Sequence, residues 1–251
     1  MHPIELENIR KSFNNVHAVN NLSLKVTGGE IFGFLGTNGA GKTTTIKMLL
    51  GLIKPDDGKL SLFGKDAHDI STKKRIGFMP ETAYYYPFLK AHELIAFYGE
   101  LCGMDKKTIK TRTEELLVEV GLENTGKKTL KTFSKGMLQR VGIAQALLHD
   151  PDLFILDEPF TGLDPLAKIH FRDLILKLKK RGKTVFFSSH ELSEAELICD
   201  RVAILKEGSS VYDGPVTEIA GDGKSNLERI FLHVLKDKKS EDINKQMEAG
   251  K

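Results

Sequence analysis

The segment Gly36-Thr37-Asn38-Gly39-Ala40-Gly41-Lys42-Thr43 constrains this chain more than any other. It fits G-x-x-x-x-G-K-[ST] and stands between a largely apolar run, Glu30-Ile31-Phe32-Gly33-Phe34-Leu35, and a helical pattern of Ile46, Met48, Leu49 and Leu50 that Gly51 can end. Glycines at these places let successive backbone N–H groups curl around phosphate oxygens, while the following helix directs its positive end at them. Lys42 brings an ammonium to the terminal phosphates, and Thr43 offers a hydroxyl to Mg²⁺.

Further strands are expected over 4–9, 22–26, 76–79, 153–156, 184–187 and 202–205, with helices starting near Pro165 and Glu191. Between about 84 and 150 the strand signal gives way to helical periodicity over 91–101, 107–120 and 137–148, where Asp105 can cap the second helix and Gly121 can end it. The expected fold is α/β: a P-loop NTPase of RecA-like type with a parallel-sheet core, an antiparallel N-terminal β region and an inserted α-helical subdomain. One domain spans 1–238, with its core at about 1–83 and 151–238 and the helical subdomain at about 84–150, and residues 239–251 form a polar tail.

The run Leu153-Phe154-Ile155-Leu156-Asp157-Glu158 places two acids at the end of an apolar strand, where parallel sheets present ligand groups. Asp157 can hold Mg²⁺ through water, and Glu158, pointing the other way, can polarise an attacking water as general base.

Net charge is only +3, with the basic residues dispersed, so charge alone gives no reason to expect nucleic acid as a partner. The apolar runs at 31–35 and 153–156 fall far short of the ~20 residues that cross a bilayer. The N-terminus lacks the positive-then-apolar layout of a secretory leader, and Cys102 and Cys199 show no CxxC pairing, which favours a reducing cytoplasm and buried free thiols over metal ligation.

From Phe13 to His190 the chain resembles the ATP-binding cassette family, whose motifs occur here in the family's order. The resemblance implies nucleotide contacts along the phosphate loop, with Thr44 beside Thr43, and an adenine-stacking aromatic at Phe13, where a core aromatic is the alternative. Phe133-Ser134-Lys135-Gly136-Met137 looks like a variant of the family signature LSGGQ. Ser134 and Gly136 match, while Lys135 and Met137 depart from it. Thr161-Gly162-Leu163-Asp164 resembles the loop that links two active sites across a cassette dimer, and Asp164 before Pro165 also reads as a helix N-cap. His190 resembles the switch histidine that contacts the γ-phosphate. Glu81 stands where such cassettes carry a glutamine near Mg²⁺ and water, and together with the altered signature it resembles multi-subunit export systems more than nutrient importers.

The implied protein is an ATP-hydrolysing subunit using ATP and Mg²⁺, paired with a second cassette and an integral-membrane subunit that holds it at the inner face of the cell membrane. A soluble cassette ATPase not coupled to transport is the alternative. Part of the aromatic run Tyr84-Tyr85-Tyr86-Pro87-Phe88 would form the groove for the membrane subunit, with core packing as the other reading.

Overall fold

The computed structural model describes residues 2–82 and 84–216, together with Leu227 and Phe231. Most of the expected stretch 217–238 and the polar tail 239–251 therefore lie outside the described residues. Strands β1 (Ile4–Phe13) and β2 (Val16–Val26) form an antiparallel hairpin closed by Asn14 and Asn15, whose positive φ of 45° and 67° suits a tight turn of left-handed residues. Strand β3 (Ile31–Gly36) is buried along its whole length and leads through the phosphate loop into α1 (Lys42–Leu49). Strands β4 (Asp57–Leu62) and β5 (Lys65–Asp66) complete an antiparallel sheet of order β2-β1-β4-β5.

After the short α2 (Ile70–Lys73) and β6 (Ile76–Met79) come the three inserted helices, α3 (Ala91–Leu101), α4 (Lys106–Glu119) and α5 (Lys135–Leu147). The chain then alternates through β7 (Leu153–Leu156), α6 (Pro165–Lys180), β8 (Thr184–Ser189), α7 (Leu192–Ile198), β9 (Arg201–Lys206) and β10 (Ser209–Pro215). The second sheet runs β10-β9-β3-β8-β7-β6, parallel except where β10 folds back on β9. Its carboxyl edge thus gathers the ends of β3, β7 and β8 beside one another.

Two apolar clusters hold this arrangement. One packs α1 between the two sheets, with Ile46 and Met48 against Phe32, Phe34 and Phe186; the Phe32 and Phe186 rings lie 5.8 Å apart and nearly parallel. The other runs unbroken from Leu94, Leu116 and Val141 of the inserted helices to Phe154 and Phe187 of the sheet. The helices therefore share their core with the parallel sheet. None of the described helices is long and apolar enough to cross a membrane.

The aromatic run after β6 divides by side. Tyr84, Tyr86 and Phe88 are exposed, whereas Tyr85 packs on the core and its hydroxyl sits over Gly142, where a Cβ would come within 2.7 Å of it. Core packing thus holds at Tyr85, and the rings left for a groove formed by part of the run are those of Tyr84, Tyr86 and Phe88. Tyr85→Ala should lower unfolding free energy by ~3 kcal/mol through the cavity it leaves, and Tyr86→Ala by under ~1 kcal/mol. Urea titrations of the two variants separate them.

Candidate active site

The phosphate loop is shaped by close backbone contact on two sides. Gly36 passes β9 so closely that a Cβ would lie 2.8 Å from the Leu205 carbonyl oxygen. Gly41 has φ 103° and would place a Cβ 2.4 Å from the Ala18 carbonyl oxygen, so no side chain fits there. Because Gly41 is also the N-cap of α1 and offers no side-chain acceptor, the first N–H groups of the helix stay open to an anion. Thr37, Asn38, Gly39 and Thr43 are exposed, Thr44 is half-buried, and Ala40 is turned into the core.

Lys42 reaches back under this loop and is only 6% exposed. Its Nζ donates to the Gly36 carbonyl at 2.7 Å and the Thr37 carbonyl at 3.2 Å, and lies 3.2 Å from Glu158 Oε1. The other carboxylate oxygen of Glu158, Oε2, is 2.8 Å from His190 Nδ1 and accepts from the His190 N–H at 3.3 Å and from Thr161 Oγ1 at 3.4 Å. Lys42, Glu158 and His190, far apart along the chain, thus meet around one carboxylate.

Glu158 is delivered there by an uncommon backbone. Its φ of 49° is left-handed, a conformation that costs a non-glycine residue ~1–3 kcal/mol and persists where the surroundings over-determine it. Ser188 supplies part of that determination: its Oγ accepts from the Glu158 N–H at 2.9 Å and donates to Asp157 Oδ1 at 2.6 Å. Asp157 is further fixed by its N–H, which donates to the Met79 carbonyl at 2.8 Å. Burial pushes the Asp157 carboxyl above the usual carboxylate range; the nearby charges of Glu158 and Glu81 add to this, against the Ser188 hydrogen bond and the Lys42 ammonium.

Thr43, Asp157 and Glu81 offer hard oxygen donors, the type Mg²⁺ prefers. Among the described residues no group of three or more His, Cys, Asp or Glu side chains forms a cage for a metal. The donor set therefore fits a Mg²⁺ ion completed by substrate phosphates and water, the usual form of such sites.

The remaining sequence-predicted residues stand apart from the loop. Phe13 closes β1, is 48% exposed and has Lys11 Nζ 5.5 Å from its ring centroid, so it is not core packing. Ser134 is exposed and caps α5 by accepting from the Met137 N–H at 3.3 Å, and a Cβ on half-buried Gly136 would meet Leu163 at 3.6 Å, an ordinary contact. Asp164 caps α6, accepting from the Ala167 N–H at 2.8 Å. Among the described residues none of Phe13, Ser134, Gly136 and Asp164 hydrogen-bonds the phosphate loop. The hydrogen bonds by which Ser188, Thr161 and Gln139, whose Nε2 donates to the Thr161 carbonyl at 2.8 Å, hold the Glu158 turn escaped sequence reading; for Ser188, the two serines between an apolar strand and His190 were the one available signal.

A family model described as ABC transporter matches residues 19–161. An uncharacterized ABC transporter ATP-binding protein of Synechocystis sp. is 46% identical over 209 residues, which cover 82% of this chain and 59% of that protein. The chain thus spans about three fifths of the length of the first relatives it matches. The bacitracin transport ATP-binding protein BcrA of Bacillus licheniformis is 42% identical over 228 residues, 90% of this chain and 74% of that protein. Among solved structures, a dimeric ATP-binding cassette in a post-hydrolysis state, bound to ADP and Pi, superposes with a TM-score of 0.78 at 26% identity over 85% of this chain and 98% of the other.

Lys42→Ala should weaken binding of a fluorescent ATP analogue by roughly 10–100-fold, the worth of one charge-assisted hydrogen bond to phosphate. Unchanged affinity in a variant with a native circular-dichroism spectrum would remove Lys42 from the phosphate site.

Proposed function

This chain belongs to the ABC transporter family and carries its ATPase domain, and on that premise we propose that it hydrolyses Mg²⁺-bound ATP to drive a separate integral-membrane subunit. The observation that carries the reading is the meeting of Lys42, Glu158 and His190 at the open mouth of the phosphate loop. An ammonium there neutralises phosphate in the ground state, and a carboxylate beside it accepts a proton from attacking water. Entry of the γ-phosphate draws Lys42 from Glu158 to the nucleotide, and the freed carboxylate then turns to the water. His190 keeps that carboxylate oriented through Nδ1 and leaves its exposed edge for the γ-phosphate. A Mg²⁺ ion held by Thr43 and Asp157, with Glu81 near it, would supply Lewis-acid stabilisation of the phosphate charge. Phe13, exposed and backed by Lys11, offers a face for adenine.

Ser134, Gly136 and Asp164 find their task in a second cassette. The N-terminus of α5, with the Ser134 hydroxyl exposed, suits the γ-phosphate of a facing subunit, so that ATP is buried between two chains. The dimeric state of the related cassette bound to ADP and Pi supports this arrangement. Closure is then linked to ATP binding, and loss of the γ-phosphate contacts reopens the pair. The membrane subunit is assigned to the face where Tyr86 packs against Phe88 and, edge-on, Phe97, an exposed aromatic patch just after Glu81. In this reading, contact with that subunit would hold the chain at the cytoplasmic face of the cell membrane. Export is the favoured direction, in keeping with Glu81 and the altered signature.

Glu158→Gln keeps size and hydrogen bonding but removes the proton acceptor, so turnover should fall ~10²–10⁴-fold. With the γ-phosphate intact, ATP and Mg²⁺ should shift the variant from monomer to a long-lived dimer on gel filtration, and ADP should not. Near-normal turnover would exclude Glu158 as base.

A further inference from the structure

Two buried polar atoms close to the site have no hydrogen-bond partner among the described residues: the Tyr85 hydroxyl and the Oε1 of Gln139. Such atoms are costly to leave unpaired, and in folded proteins ordered water commonly serves them. Both side chains line one cavity of about 150 Å³ beneath Glu81, bounded also by Pro80, Leu138 and Gly142. Gln139 and Gly142 are three residues apart on α5 and share a face of it, with the Tyr85 hydroxyl directly over Gly142. The space exceeds the ~10–15 Å³ that a single water requires, and its walls carry both donors and acceptors.

The other end of the Gln139 amide is engaged. Only its N–H₂ can donate to the Thr161 carbonyl, at 2.8 Å, which leaves Oε1 as the atom that faces the cavity. Thr161 in turn folds back on Glu158: its N–H donates to the Glu158 carbonyl at 3.2 Å and its Oγ1 to the carboxylate at 3.4 Å. The turn that presents the carboxylate is therefore clamped by a glutamine from the helix that starts at Ser134.

We infer that Gln139 is a positioning residue for Glu158, and that water in this cavity bridges its Oε1 to the Tyr85 hydroxyl. The inference rests on Glu158 acting as the base. Gln139 reaches no reacting atom; it fixes the Thr161 carbonyl and through it the turn that carries Glu158. Tyr85 has the exposed Tyr84 and Tyr86 on either side, so displacement of that segment is passed through the bridge to the base.

The test uses the full chain with Tyr85→Phe, Gln139→Met and the double variant, each assayed for kcat, KM for ATP and melting temperature. Each single variant should lower kcat roughly 10-fold with KM unchanged, and the double should fall no further than the slower single, as expected for members of one link. An unchanged kcat in Tyr85→Phe, effects that multiply in the double, or a loss carried by KM would each overturn the inference. Should Gln139→Met fail to fold, Tyr85→Phe decides alone, because a hydroxyl with no bridge gives a more stable protein with native kcat when it is removed. Glu158→Gln assayed alongside separates the two levels: if it is inactive while the link variants turn over normally, only the link falls.

Discussion

A lysine ammonium that is almost wholly out of water must be surrounded by acceptors, and the need to satisfy Lys42 organises this site. Two of its partners are carbonyls of the phosphate loop itself, which curls only because Gly41 can adopt a positive φ against β2. The third is Glu158, which follows β7, two strands from β3, and is held left-handed by Ser188. Without a buried cation at this point, the strained residue and its carboxylate would have no charge to compensate them. The same ammonium that stabilises the apo arrangement is the group best placed to meet an incoming phosphate, so in the proposed mechanism binding exchanges one anionic partner of Lys42 for another.

The parallel sheet explains why this exchange happens at its carboxyl edge. β3 lies beside β8, and β8 beside β7, so the loop after β3, the acids after β7 and the histidine after β8 emerge side by side. The buried aromatic stack of Phe32 and Phe186 ties β3 to β8 just below the site. Because the inserted helices share one apolar cluster with this sheet, a shift of those helices is not free to occur without repacking around Phe154 and Phe187.

Most of this was legible in the chain because its strongest signals are local. The loop from Gly36 to Thr43 and the acids at Asp157 and Glu158 sit directly against apolar runs, which fixes both the element and its end. β4 and β10 were not legible: Asp57-Gly58-Lys59 and Asp213-Gly214-Pro215 are poor strand formers, ordered here by pairing with β1 and β9. The roles of Ser188, Thr161 and Gln139 around Glu158 were missed for another reason. Their contribution is a hydrogen bond across the fold, and no spacing along the sequence encodes that. Tyr85 shows the limit most plainly, since five consecutive residues rich in rings carry no mark of which one turns inward.

In the proposed mechanism Lys42 leaves Glu158 for the terminal phosphate when ATP binds. A crystal structure of the chain with a non-hydrolysable ATP analogue and Mg²⁺ tests this most directly, by the position of one nitrogen. Lys42 Nζ is expected within hydrogen-bond distance of the β- and γ-phosphate oxygens and beyond its present 3.2 Å from Glu158 Oε1, with the carboxylate turned to water. A bound analogue with the Lys42–Glu158 pair still closed and the γ-phosphate elsewhere would contradict it.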